Sequence, residues 1–440
     1  MGVEDPAFIA RSKLRGSTMA DVCVLGLGYV GLPTASLLAN SGMAVLGVDI
    51  DEEVVTSLRS LKIRLGGAGL SSMVKAAIDS GNLKTSTAPE RSEVFVLCVP
   101  TPVRKEGVVD LGAVEAATRS ILPLLESDNL VLLESTSPIG TTRGVVGRIL
   151  AESGLVPGED FDLCYCPERV LPGKTIGELI NNDRILGGIT SASAQRARRV
   201  YERFTEGEIL LTDDRTAEMV KLIENTYRDT NIALANSFAR IAEDAGVDVW
   251  EAIALANRHP RVRIHDPGPG VGGHCLPVDP LFLAERFPDH AAMLRVAREI
   301  NDGQTARILG RLRETGKLQP GDRLAILGAA YKEDIDDPRG SPAVRLAREA
   351  MEAGLEVAIH DPLVRAESLD GFAVSRDLEA ALKGAAATVL ITPHAAYRTL
   401  APEVFARCMS GRLIGDARNC LDAVAFRQAG FDVIVTGVGK

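Results

Sequence analysis

Aromatic residues and long apolar runs are scarce in this sequence, and both absences narrow its structural class. Phe, Trp and Tyr together make up 4% of the chain, whereas glycine alone accounts for 42 residues. A surplus of small side chains suits tightly packed layers of helices and sheets. No apolar stretch reaches the length of about 18 residues that a membrane-spanning helix needs. We therefore expect a globular protein with no membrane partner.

An excess of basic residues is also lacking, because the net charge is -10. An acidic chain offers no electrostatic footprint for a polyanion, so we expect no nucleic-acid partner. Any anionic ligand has to be held by local Arg and Lys side chains and by helix N-termini.

Cysteine pairs that would form disulfides or hold a metal are not apparent either. The seven cysteines are spread over 440 residues and their number is odd, which argues against a disulfide framework and for a reducing cytoplasm. Cys164 and Cys166 lie in a strand-like run without a second Cys or His pair nearby, so we predict no metal site. Residues 1–18 have no hydrophobic signal core. We interpret them as a disordered leader, with Met19 as an alternative start.

The chain of 440 residues is long enough for two or three domains. From residue 21 to about 189, short apolar runs alternate with helical segments, which predicts a mostly parallel, doubly wound sheet. Residues 215–245 contain no Pro or Gly and carry apolar residues at helical spacing. This pattern predicts one long helix that Gly246 closes.

A second α/β unit begins near Asp322. Residues 323–328 repeat the pattern of the first strand, and 355–361 repeat the second strand down to its terminal Asp. The sequence Gly-Ala-Ala-Tyr331 replaces the glycine-rich turn, so this unit should not bind a dinucleotide in the same way. We predict an α/β fold with two Rossmann-like doubly wound domains joined by a central long-helix domain. The predicted parts are an N-terminal extension (1–19), a first Rossmann-like domain (20–212), a central helical domain (213–318) and a second Rossmann-like domain (319–440).

A glycine-rich turn follows the first predicted strand and opens the first predicted helix. It consists of Gly26, Leu27, Gly28, Tyr29, Val30 and Gly31. In this G-x-G-x-x-G spacing the first Gly allows the tight turn, the second lets backbone approach a pyrophosphate, and the third permits close helix packing. Asp49 ends the next strand, where it would bind the ribose hydroxyls and repel a 2′-phosphate. The pattern predicts an NAD site, and a purely structural turn is the alternative.

Two further loops follow predicted strands. One contains Pro100, Thr101 and Pro102, and the other contains Glu134, Ser135 and Thr136. Ligands of doubly wound sheets bind at the carboxyl ends of the strands, so we expect Pro100, Thr101 and Thr136 to contribute to the cofactor site. Ordinary turn formation by Thr and Ser is the alternative explanation.

Cys275 ends the glycine-rich segment Pro267-Gly-Pro-Gly-Val-Gly-Gly-His-Cys275, where backbone can approach a ligand closely. An enzyme that only interconverts an alcohol and a carbonyl needs no thiol. A thiolate becomes useful when an aldehyde is oxidised further, because it forms a thiohemiacetal that can lose a second hydride and become a thioester. Cys275 together with an NAD site therefore predicts oxidation of an alcohol to an acid. The alternatives are a buried structural thiol and a zinc pair with His274.

Lys221, Asn225 and Asp229 recur every four residues on the predicted long helix and so share one face. Apolar neighbours flank this face, which predicts that much of the helix is packed. A Lys and an Asn presented by a rigid helix can stabilise an oxyanion, as thiohemiacetal chemistry requires. A solvated polar stripe is the alternative.

A cationic cluster lies upstream of Cys275 and comprises Arg258, His259, Arg261 and Arg263. In an acidic protein such a cluster suits the binding of a phosphate or a carboxylate. A merely solvated charge run is the alternative.

Six segments in this order resemble the UDP-glucose/GDP-mannose dehydrogenase family, and the resemblance covers the chain from about residue 20. They are Gly26-Leu-Gly-Tyr-Val-Gly-Leu-Pro33, Glu134-Ser-Thr-Ser-Pro138, Cys166-Pro-Glu-Arg-Val-Leu-Pro-Gly173, Glu218-Met-Val-Lys-Leu-Ile-Glu-Asn225, Gly270-Val-Gly-Gly-His-Cys275 and Ala330-Tyr-Lys-Glu-Asp-Ile-Asp-Asp-Pro-Arg339. Within the family, residues 256–262 followed by the Cys275 loop most resemble the members that act on UDP-N-acetyl-D-mannosamine. The Lys-Asp pair typical of UDP-glucose dehydrogenases is only half kept, because Val278 precedes Asp279. This departure argues against UDP-glucose as the substrate.

The resemblance implies a four-electron oxidation of a sugar C6 hydroxyl to a carboxylate, with two NAD consumed and no free aldehyde released. The implied catalytic residues are Cys275 as the nucleophile, Lys221 and Asn225 at the oxyanion, Asp279 at the hydrolytic water, and Glu168 and Thr136 in water and proton transfer. The implied substrate residues are Glu168, Arg169, Val170, Lys221, Asn225, Arg258, His259, Arg263, Gly272, Lys332 and Arg339. The second Rossmann-like domain would bind the uridine-diphosphate half of the substrate in a cleft between the two lobes. We also expect a homodimer formed through the long helix, with the cationic cluster acting across its interface.

Other functions stay open at this point. UDP-N-acetylglucosamine and UDP-glucose are alternative substrates for the same chemistry. A two-electron dehydrogenase of the hydroxyacid type would explain the glycine turn and Lys221, but it leaves Cys275 and the last domain without a role. A non-catalytic nucleotide-binding regulator would bind nucleotides without reducing NAD.

Overall fold

The computed structural model describes residues 19–62, 69–104, 108–170, 174–365 and 368–439. The predicted N-terminal extension, apart from its last residue, lies outside the described residues, as does the end of the motif at 166–173. The described chain forms two compact units that divide between Ile223 and Glu224. The predicted domain boundaries at 212/213 and 318/319 stay predictions.

The first unit is a doubly wound α/β domain around an eight-stranded sheet. Its strands are β1 (Ala20–Leu25), β2 (Val45–Val48), β3 (Leu83–Ser86), β4 (Ser92–Leu97), β5 (Leu130–Leu133), β6 (Asp162–Tyr165), β7 (Arg184–Gly188) and β8 (Ile209–Asp213). They pair in the order β3-β2-β1-β4-β5-β6-β7-β8, and β6 with β7 is an antiparallel pair in an otherwise parallel sheet. The first six strands have the 3-2-1-4-5-6 order of dinucleotide-binding domains. The predicted parallel sheet is confirmed.

Both faces of this sheet are covered, because neighbouring strand residues point to opposite sides and both sides are apolar. In β1, Val24 belongs to one core cluster and Leu25 to the other. The helices of this unit are α1 (Gly31–Asn40), α2 (Glu52–Arg59), α3 (Leu70–Asp79), α4 (Gly112–Ile121), α5 (Arg148–Leu150), α6 (Thr175–Asn181) and α7 (Ser191–Tyr201). Leu32 of α1 packs in the first cluster and Val114 of α4 in the second. Short 3-10 turns at Leu122–Leu124 and Ala151–Ser153 and a π-helical segment at Thr142–Gly147 complete the unit.

The long helix α8 spans Asp214–Ala245 and contains 32 residues. The prediction of one helix over 215–245 is therefore confirmed. The helix ends where Gly246 adopts left-handed backbone with a φ of +69°, a conformation that is readily available only to glycine. The division between the two units falls within this helix.

The second unit repeats the doubly wound arrangement around a seven-stranded sheet. Its strands are β9 (Arg323–Leu327), β10 (Glu356–His360), β11 (Ser368–Leu369), β12 (Phe372–Ser375), β13 (Ala387–Leu390), β14 (Leu413–Asp416) and β15 (Asp432–Val435). They pair in the order β11-β12-β10-β9-β13-β14-β15, and β11 with β12 is antiparallel. With β9 counted as the first strand and β11 set aside, the order is again 3-2-1-4-5-6. The architectural repeat predicted from residues 323–361 is confirmed.

The helices of the second unit pack around this sheet and beside α8. They are α9 (Val249–Ala256), α10 (Asp279–Arg286), α11 (Ala292–Asp302), α12 (Gln304–Glu314), α13 (Pro342–Glu352), α14 (Leu378–Leu382), α15 (Ala395–Arg398), α16 (Pro402–Cys408) and α17 (Ala423–Gln428), with a 3-10 turn at Pro288–His290. As in the first sheet, Ile326 and Leu327 of β9 belong to different core clusters. Within the described ranges, no helix is long and apolar enough to cross a membrane.

Candidate active site

The three glycines between β1 and α1 are required for different reasons. Gly26 has a φ of +92°, and a Cβ there would lie 2.6 Å from the carbonyl oxygen of Cys98. A Cβ at Gly31 would lie 1.8 Å from the carbonyl oxygen of Gly26. A Cβ at Gly28, by contrast, would meet no described protein atom within 4 Å. The fold itself therefore requires Gly26 and Gly31, whereas Gly28 leaves room for a ligand beside the backbone.

Asp49 lies beside this turn, directly after β2. Its Oδ2 accepts a hydrogen bond from the backbone N–H of Leu27 (2.9 Å), and its Oδ1 accepts one from that of Asp51 (3.0 Å). Among the described side chains, none caps the N-terminus of α1 at Val30, which leaves that helix end able to receive an anion. Tyr29, next to the turn, is 40% exposed. The turn and Asp49 fit a dinucleotide, with its pyrophosphate at α1 and a ribose at Asp49.

The two predicted loops at the carboxyl ends of β4 and β5 are brought together. The Thr101 hydroxyl donates to the carbonyl oxygen of Thr136 (2.6 Å), and the Ser135 hydroxyl donates to that of Val99 (2.7 Å). Pro100 is exposed and Thr136 is half-buried on the same edge. Both loops therefore lie where ligands of doubly wound sheets bind.

Glu218, a residue to which the sequence analysis assigned no role, holds the loop that follows Thr136. Its Oε1 accepts from the backbone N–H of Thr142 (2.7 Å) and from the Thr142 hydroxyl (2.7 Å), and its Oε2 accepts from the backbone N–H of Gly140. Burial raises the pKa of Glu218, although these hydrogen bonds oppose the change. The sequence offers one indication that Glu218 matters, because it lies three residues before Lys221 in a motif of the family.

Glu134 is a second buried carboxylate that sequence reasoning left without a role. Its side chain accepts from the Tyr201 hydroxyl and from the Cys98 thiol (3.1 Å), and it lies 4.0 Å from the Arg184 guanidinium. The Thr34 hydroxyl of α1 also donates to it over 3.4 Å. Glu134 therefore links α1, β4, β7 and α7 in the first unit.

The thiols of Cys164 and Cys166 in the first unit are buried, and that of Cys98 is partly buried. Burial raises the pKa of Cys98 and Cys164, and it raises the pKa of Cys166 to about 11. Cys166 accepts a hydrogen bond from Arg184 (3.3 Å). Within the described ranges, no group of three or more His, Cys, Asp or Glu residues is arranged to hold a metal ion. Cys164 and Cys166 thus pack in the core, as most free cysteines do.

Lys221 is 5% exposed and pairs with the motif that follows β6. Its Nζ donates to the carbonyl oxygen of Glu168 (2.7 Å) and lies 3.6 Å from the Glu168 carboxylate. Glu168 in turn accepts from the backbone N–H of Val170, and Arg169 donates to the carbonyl oxygen of Asp183 (2.8 Å). The structure therefore brings together the predicted residues Lys221, Glu168 and Val170 in the first unit.

Within the second unit, Asp279 is hydrogen-bonded to Asn225 through its side chain and to Cys275 through its backbone. Asp279, the first residue of α10, is 3% exposed, and its backbone N–H donates to the carbonyl oxygen of Cys275 (2.8 Å). The Asn225 amide donates to Asp279 Oδ2 over 2.6 Å. Cys275 itself is only half-buried. A buried carboxylate and an amide are thus bonded to each other at Asp279, four residues after the residue that carries the thiol.

The predicted polar face of α8 is not solvated. Lys221, Asn225 and Asp229 are 5%, 9% and 0% exposed. Asp229 accepts from Arg298 (2.5 Å) and from the Asn301 amide (2.9 Å). Asp229 therefore anchors α11 to α8, whereas Asn225 contacts Asp279 at the start of α10.

The glycines of the Cys275 loop allow it to pack tightly on the second unit. A Cβ at Gly270 would lie 2.4 Å from a backbone oxygen of α11, and one at Gly272 would lie 2.9 Å from the Cβ of Tyr331. Gly273, with a φ of +88°, donates its N–H to the carbonyl oxygen of Arg339 (3.1 Å). The loop that ends in Cys275 thus lies directly on the segment that carries Tyr331, Lys332 and Arg339.

Arg339 is oriented by Asp337. Its Nε and Nη2 donate to the Asp337 carboxylate at 2.9 and 2.6 Å, and 44% of its side chain remains exposed. Burial alone would raise the pKa of Asp337, but the hydrogen bonds from Arg339 outweigh it and leave the pKa below its usual value. Lys332 is half-buried on the same segment.

The predicted cationic cluster forms an exposed loop after α9. The Asn257 side chain donates to the carbonyl oxygen of Ile264 (3.0 Å) and accepts from its N–H (2.7 Å), which closes the loop. Arg258, His259 and Arg263 are exposed on it. These three side chains thus extend outward from a loop that is closed by the hydrogen bonds between Asn257 and Ile264.

The glycine turn, Asp49 and the strand order of the first unit are those of a dinucleotide-binding protein. Residues 20–205 match the NAD-binding domain of the UDP-glucose/GDP-mannose dehydrogenase family, residues 215–303 its central domain and residues 325–423 its UDP-binding domain. The chain belongs to the UDP-glucose/GDP-mannose dehydrogenase family. The family resemblance predicted from six motifs is confirmed, and with it a nucleotide-sugar dehydrogenase that uses NAD.

Individual relatives are similar over nearly the whole chain. A UDP-N-acetyl-D-mannosamine dehydrogenase of Methanocaldococcus jannaschii is 43% identical over 425 residues, which cover 95% of this chain and 97% of that protein. An NDP-N-acetyl-D-galactosaminuronic acid dehydrogenase of Ralstonia solanacearum is 41% identical over 389 residues, 86% of this chain and 92% of that protein. The solved structure of a UDP-D-ManNAc dehydrogenase from Pyrococcus horikoshii matches with a TM-score of 0.89 and 39% identity, covering 94% of this chain and 99% of that one.

Proposed function

We propose that this enzyme oxidises the C6 hydroxyl of UDP-N-acetyl-D-mannosamine to a carboxylate, through a thiohemiacetal and a thioester on Cys275. The observation that carries the proposal is the set formed by Asn225, Asp279 and Cys275, in which the Asp279 carboxylate is bonded to the Asn225 amide and the Asp279 backbone N–H is bonded to the Cys275 carbonyl oxygen. A two-electron dehydrogenase of the hydroxyacid type has no step that uses this set. A non-catalytic regulator has no need of it.

The choice of sugar rests on two supports. The relative of Methanocaldococcus jannaschii, 43% identical, is named for UDP-N-acetyl-D-mannosamine. Val278 also stands before Asp279 where UDP-glucose dehydrogenases typically have Lys. A UDP-N-acetylgalactosamine-type sugar is the second candidate, because a relative at 41% identity is named for that series. UDP-N-acetylglucosamine and UDP-glucose are the remaining alternatives.

The proposed chemistry needs a thiol because it passes the aldehyde stage without releasing it. NAD held at the glycine turn and Asp49 would supply the acceptor for one hydride in each of the two oxidations. The Cys275 sulfur adds to the aldehyde carbon, and the former carbonyl oxygen takes a proton to give a thiohemiacetal. Loss of the second hydride and of that proton leaves a thioester, which water cleaves to the acid and the free thiol. One alcohol, one water and two NAD are converted to one carboxylate, two NADH and three protons.

The surrounding side chains have separate roles in this proposal. The Asn225 amide and the Lys221 ammonium donate hydrogen bonds to the negatively charged oxygen that develops as sulfur adds to the carbonyl. The Asp279 carboxylate accepts a proton from the water that hydrolyses the thioester. Its hydrogen bond from Asn225 fixes the direction in which that carboxylate points. Glu168 and Thr136 support water and proton transfer.

We propose that cationic side chains of the second unit bind the diphosphate of the substrate. Lys332 and Arg339 bind the diphosphate, because Asp337 orients the Arg339 guanidinium while leaving it partly exposed. The proposed sugar-side contacts are Glu168, Arg169, Val170, Lys221, Asn225 and the backbone of Gly272. The proposed NAD contacts are Gly26, Gly28, Tyr29, Val30, Gly31, Asp49, Pro100, Thr101 and Thr136.

We propose that the enzyme is a homodimer formed through α8. Large apolar side chains are exposed on the part of this helix within the second unit, with Tyr227 55%, Leu234 45%, Phe238 37% and Ile241 62% exposed. Their spacings of seven, four and three residues place them on one face of the helix. An exposed apolar stripe of this kind marks a protein interface. Across it, Arg258, His259 and Arg263 would reach the substrate of the partner subunit. We also propose a cytoplasmic location, on the basis of the odd number of free cysteines.

The sugar is tested by measuring NAD reduction with four UDP-sugars side by side, namely those of N-acetylmannosamine, N-acetylglucosamine, N-acetylgalactosamine and glucose. We expect kcat/KM to be at least about tenfold higher for UDP-N-acetylmannosamine than for the others. A preference for UDP-glucose would contradict the proposed substrate. In parallel, Cys275→Ser should nearly abolish acid formation, and full turnover by this variant would place the nucleophile elsewhere.

A further inference from the structure

An Asp directly follows the second strand of each sheet, and its carboxylate has different hydrogen-bond partners in the two units. In the first sheet, Asp49 is half-buried and accepts from two backbone N–H groups, those of Leu27 and Asp51. In the second sheet, Asp361 follows β10 at the equivalent position and is 0% exposed. Its four backbone donors are Ala329 (2.7 Å), Ala330 (2.9 Å), Leu363 (2.8 Å) and Val364 (2.9 Å). The acceptor positions of Asp361 are therefore occupied by the protein itself.

A buried histidine completes this arrangement. His394, directly after the loop that leaves β13, is 0% exposed and places its Nε2 3.0 Å from Asp361 Oδ2. Its Nδ1 accepts from the backbone N–H of Asp334 (2.9 Å). A backbone N–H can only donate, so Nδ1 carries the lone pair and Nε2 carries the proton that faces the carboxylate. His394 thus connects Asp361 to the loop after β9.

The loop after β9 is held on both sides of Lys332. Two residues before it, Ala330 donates its N–H to Asp361 and accepts from the Thr392 hydroxyl (2.6 Å). Two residues after it, Asp334 donates to His394 and also accepts from the N–H of Ala395 (3.0 Å). Asp334 has a φ of +58°, which is unusual for a residue other than glycine and needs such support. Lys332 is therefore presented by a short segment fixed at each end.

We propose that the buried His394–Asp361 pair is a positioning device that fixes Lys332 for the diphosphate of the nucleotide substrate. The inference rests on the proposed function, because that function assigns Lys332 to the diphosphate. The loop lies after β9, at the switch point between β9 and β13 where ligands of such sheets bind. In the first sheet, the proposed role of Asp49 is to bind a ribose. In the second sheet, the equivalent residue Asp361 is buried and binds backbone N–H groups instead. The proposed ligand contact of the second unit therefore comes from Lys332 on the loop after β9.

The charge state of Asp361 is consistent with this role. Burial alone would raise its pKa, but the hydrogen bonds from His394 and from the backbone N–H groups outweigh it and lower the pKa to about 2. The carboxylate is therefore ionised near neutral pH, where it is an acceptor for His394 and for Ala330.

The test compares two replacements of His394 in the full-length enzyme. Gln places a polar group near the Nε2 position and loses the acceptor for Asp334, whereas Asn keeps an acceptor near Nδ1. Isothermal titration with UDP alone reports the binding effect without any turnover. We expect His394→Gln to weaken UDP binding by about fivefold or more, with the KM for NAD unchanged. His394→Asn keeps an acceptor for Asp334 but loses the donor to Asp361, so it also breaks the pair and should weaken UDP binding by about twofold or more.

A double-mutant cycle shows whether the effect acts through Lys332. In a Lys332→Ala background, His394→Gln should cause no further loss of UDP affinity. Equal losses in both backgrounds, or unchanged UDP affinity in His394→Gln, would overturn the proposal. His360→Gln serves as the matched control, because His360 is a buried histidine of the same sheet that bonds to Tyr397 (2.8 Å). It should leave the UDP affinity unchanged, and a loss equal to that of His394→Gln would show a general effect of damage to this core.

Different results would contradict the proposed function and the positioning role of the His394–Asp361 pair. A parent enzyme that binds UDP but does not oxidise UDP-N-acetylmannosamine would contradict the proposed function and leave the positioning role intact. A Lys332→Ala variant with unchanged UDP affinity would overturn the positioning role and leave the thioester chemistry untouched.

Discussion

Replacing Gly28 and Gly31 by Ala, one at a time, separates cofactor binding from folding at the same turn. At Gly28 the new methyl group would meet no described protein atom within 4 Å, and the φ of this residue lies outside the left-handed range. Gly28→Ala should therefore change the free energy of unfolding by no more than about 1 kcal/mol. At Gly31 the methyl group would lie 1.8 Å from a backbone oxygen, so the backbone has to move. Gly31→Ala should cost about 1–3 kcal/mol or more.

The effect on NAD should follow a different pattern. If the pyrophosphate passes beside the backbone at Gly28, a methyl group there displaces it from the N-terminus of α1. A loss of about 1.4 kcal/mol in binding corresponds to a tenfold higher Kd, and we expect at least this for Gly28→Ala. The Kd for UDP, whose proposed site lies in the second unit, should be unchanged. Titration calorimetry measures the Kd for NAD and the Kd for UDP, and urea unfolding measures the free energy of unfolding. Unchanged NAD affinity in a folded Gly28→Ala variant would refute the assignment of this turn.

Three further predictions test separate parts of the site. Asp279→Asn should lower steady-state acid formation by about 100-fold, and it should produce a rapid burst of NADH because hydrolysis of the thioester becomes slow; a variant without a burst would contradict the hydrolytic role. Because burial raises the pKa of Glu218 in the folded state, its contribution to stability is present at low pH and lost as pH rises through that pKa. Glu218→Gln cannot ionise, so its urea unfolding should show a smaller loss of stability between acidic and neutral pH, and an unchanged pH dependence would contradict this explanation. Ile241→Asp places a charge in the exposed stripe of α8 and should shift the enzyme from dimer to monomer in light scattering, whereas an unchanged mass would exclude that stripe as the interface.

Local patterns made the architecture predictable from the sequence. The helix over 215–245 could be predicted because it contains no Pro or Gly and because its apolar spacing is a property of neighbouring residues. The glycine turn could be predicted for the same reason. The edge strands β3 and β8 were not predicted, because both are partly exposed, β3 is mostly polar, and the apolar run of β8 has only three residues.

The contacts that position the site depend on residues that are distant in sequence. Asn225 and Asp279 are separated by 54 positions, and Glu218 and Thr142 by 76. Motif resemblance placed Asn225 and Asp279 in the same site, but it could not show that one bonds to the other. Glu134 and Glu218 begin two of the family motifs, but neither those motifs nor the sequence around His394 shows which groups these side chains contact. Their roles became visible only in the structure.

The most direct test of the thioester on Cys275 is the amount of NADH formed when a limiting amount of UDP-N-acetylmannosamine is fully converted. We expect two NADH for each sugar, with no aldehyde captured when a hydrazine is present during the reaction. With Cys275→Ser, the second NADH should be lost or greatly delayed. A parent enzyme that yields one NADH for each sugar and releases an aldehyde would contradict the thioester mechanism, because Cys275 would then carry no acyl group.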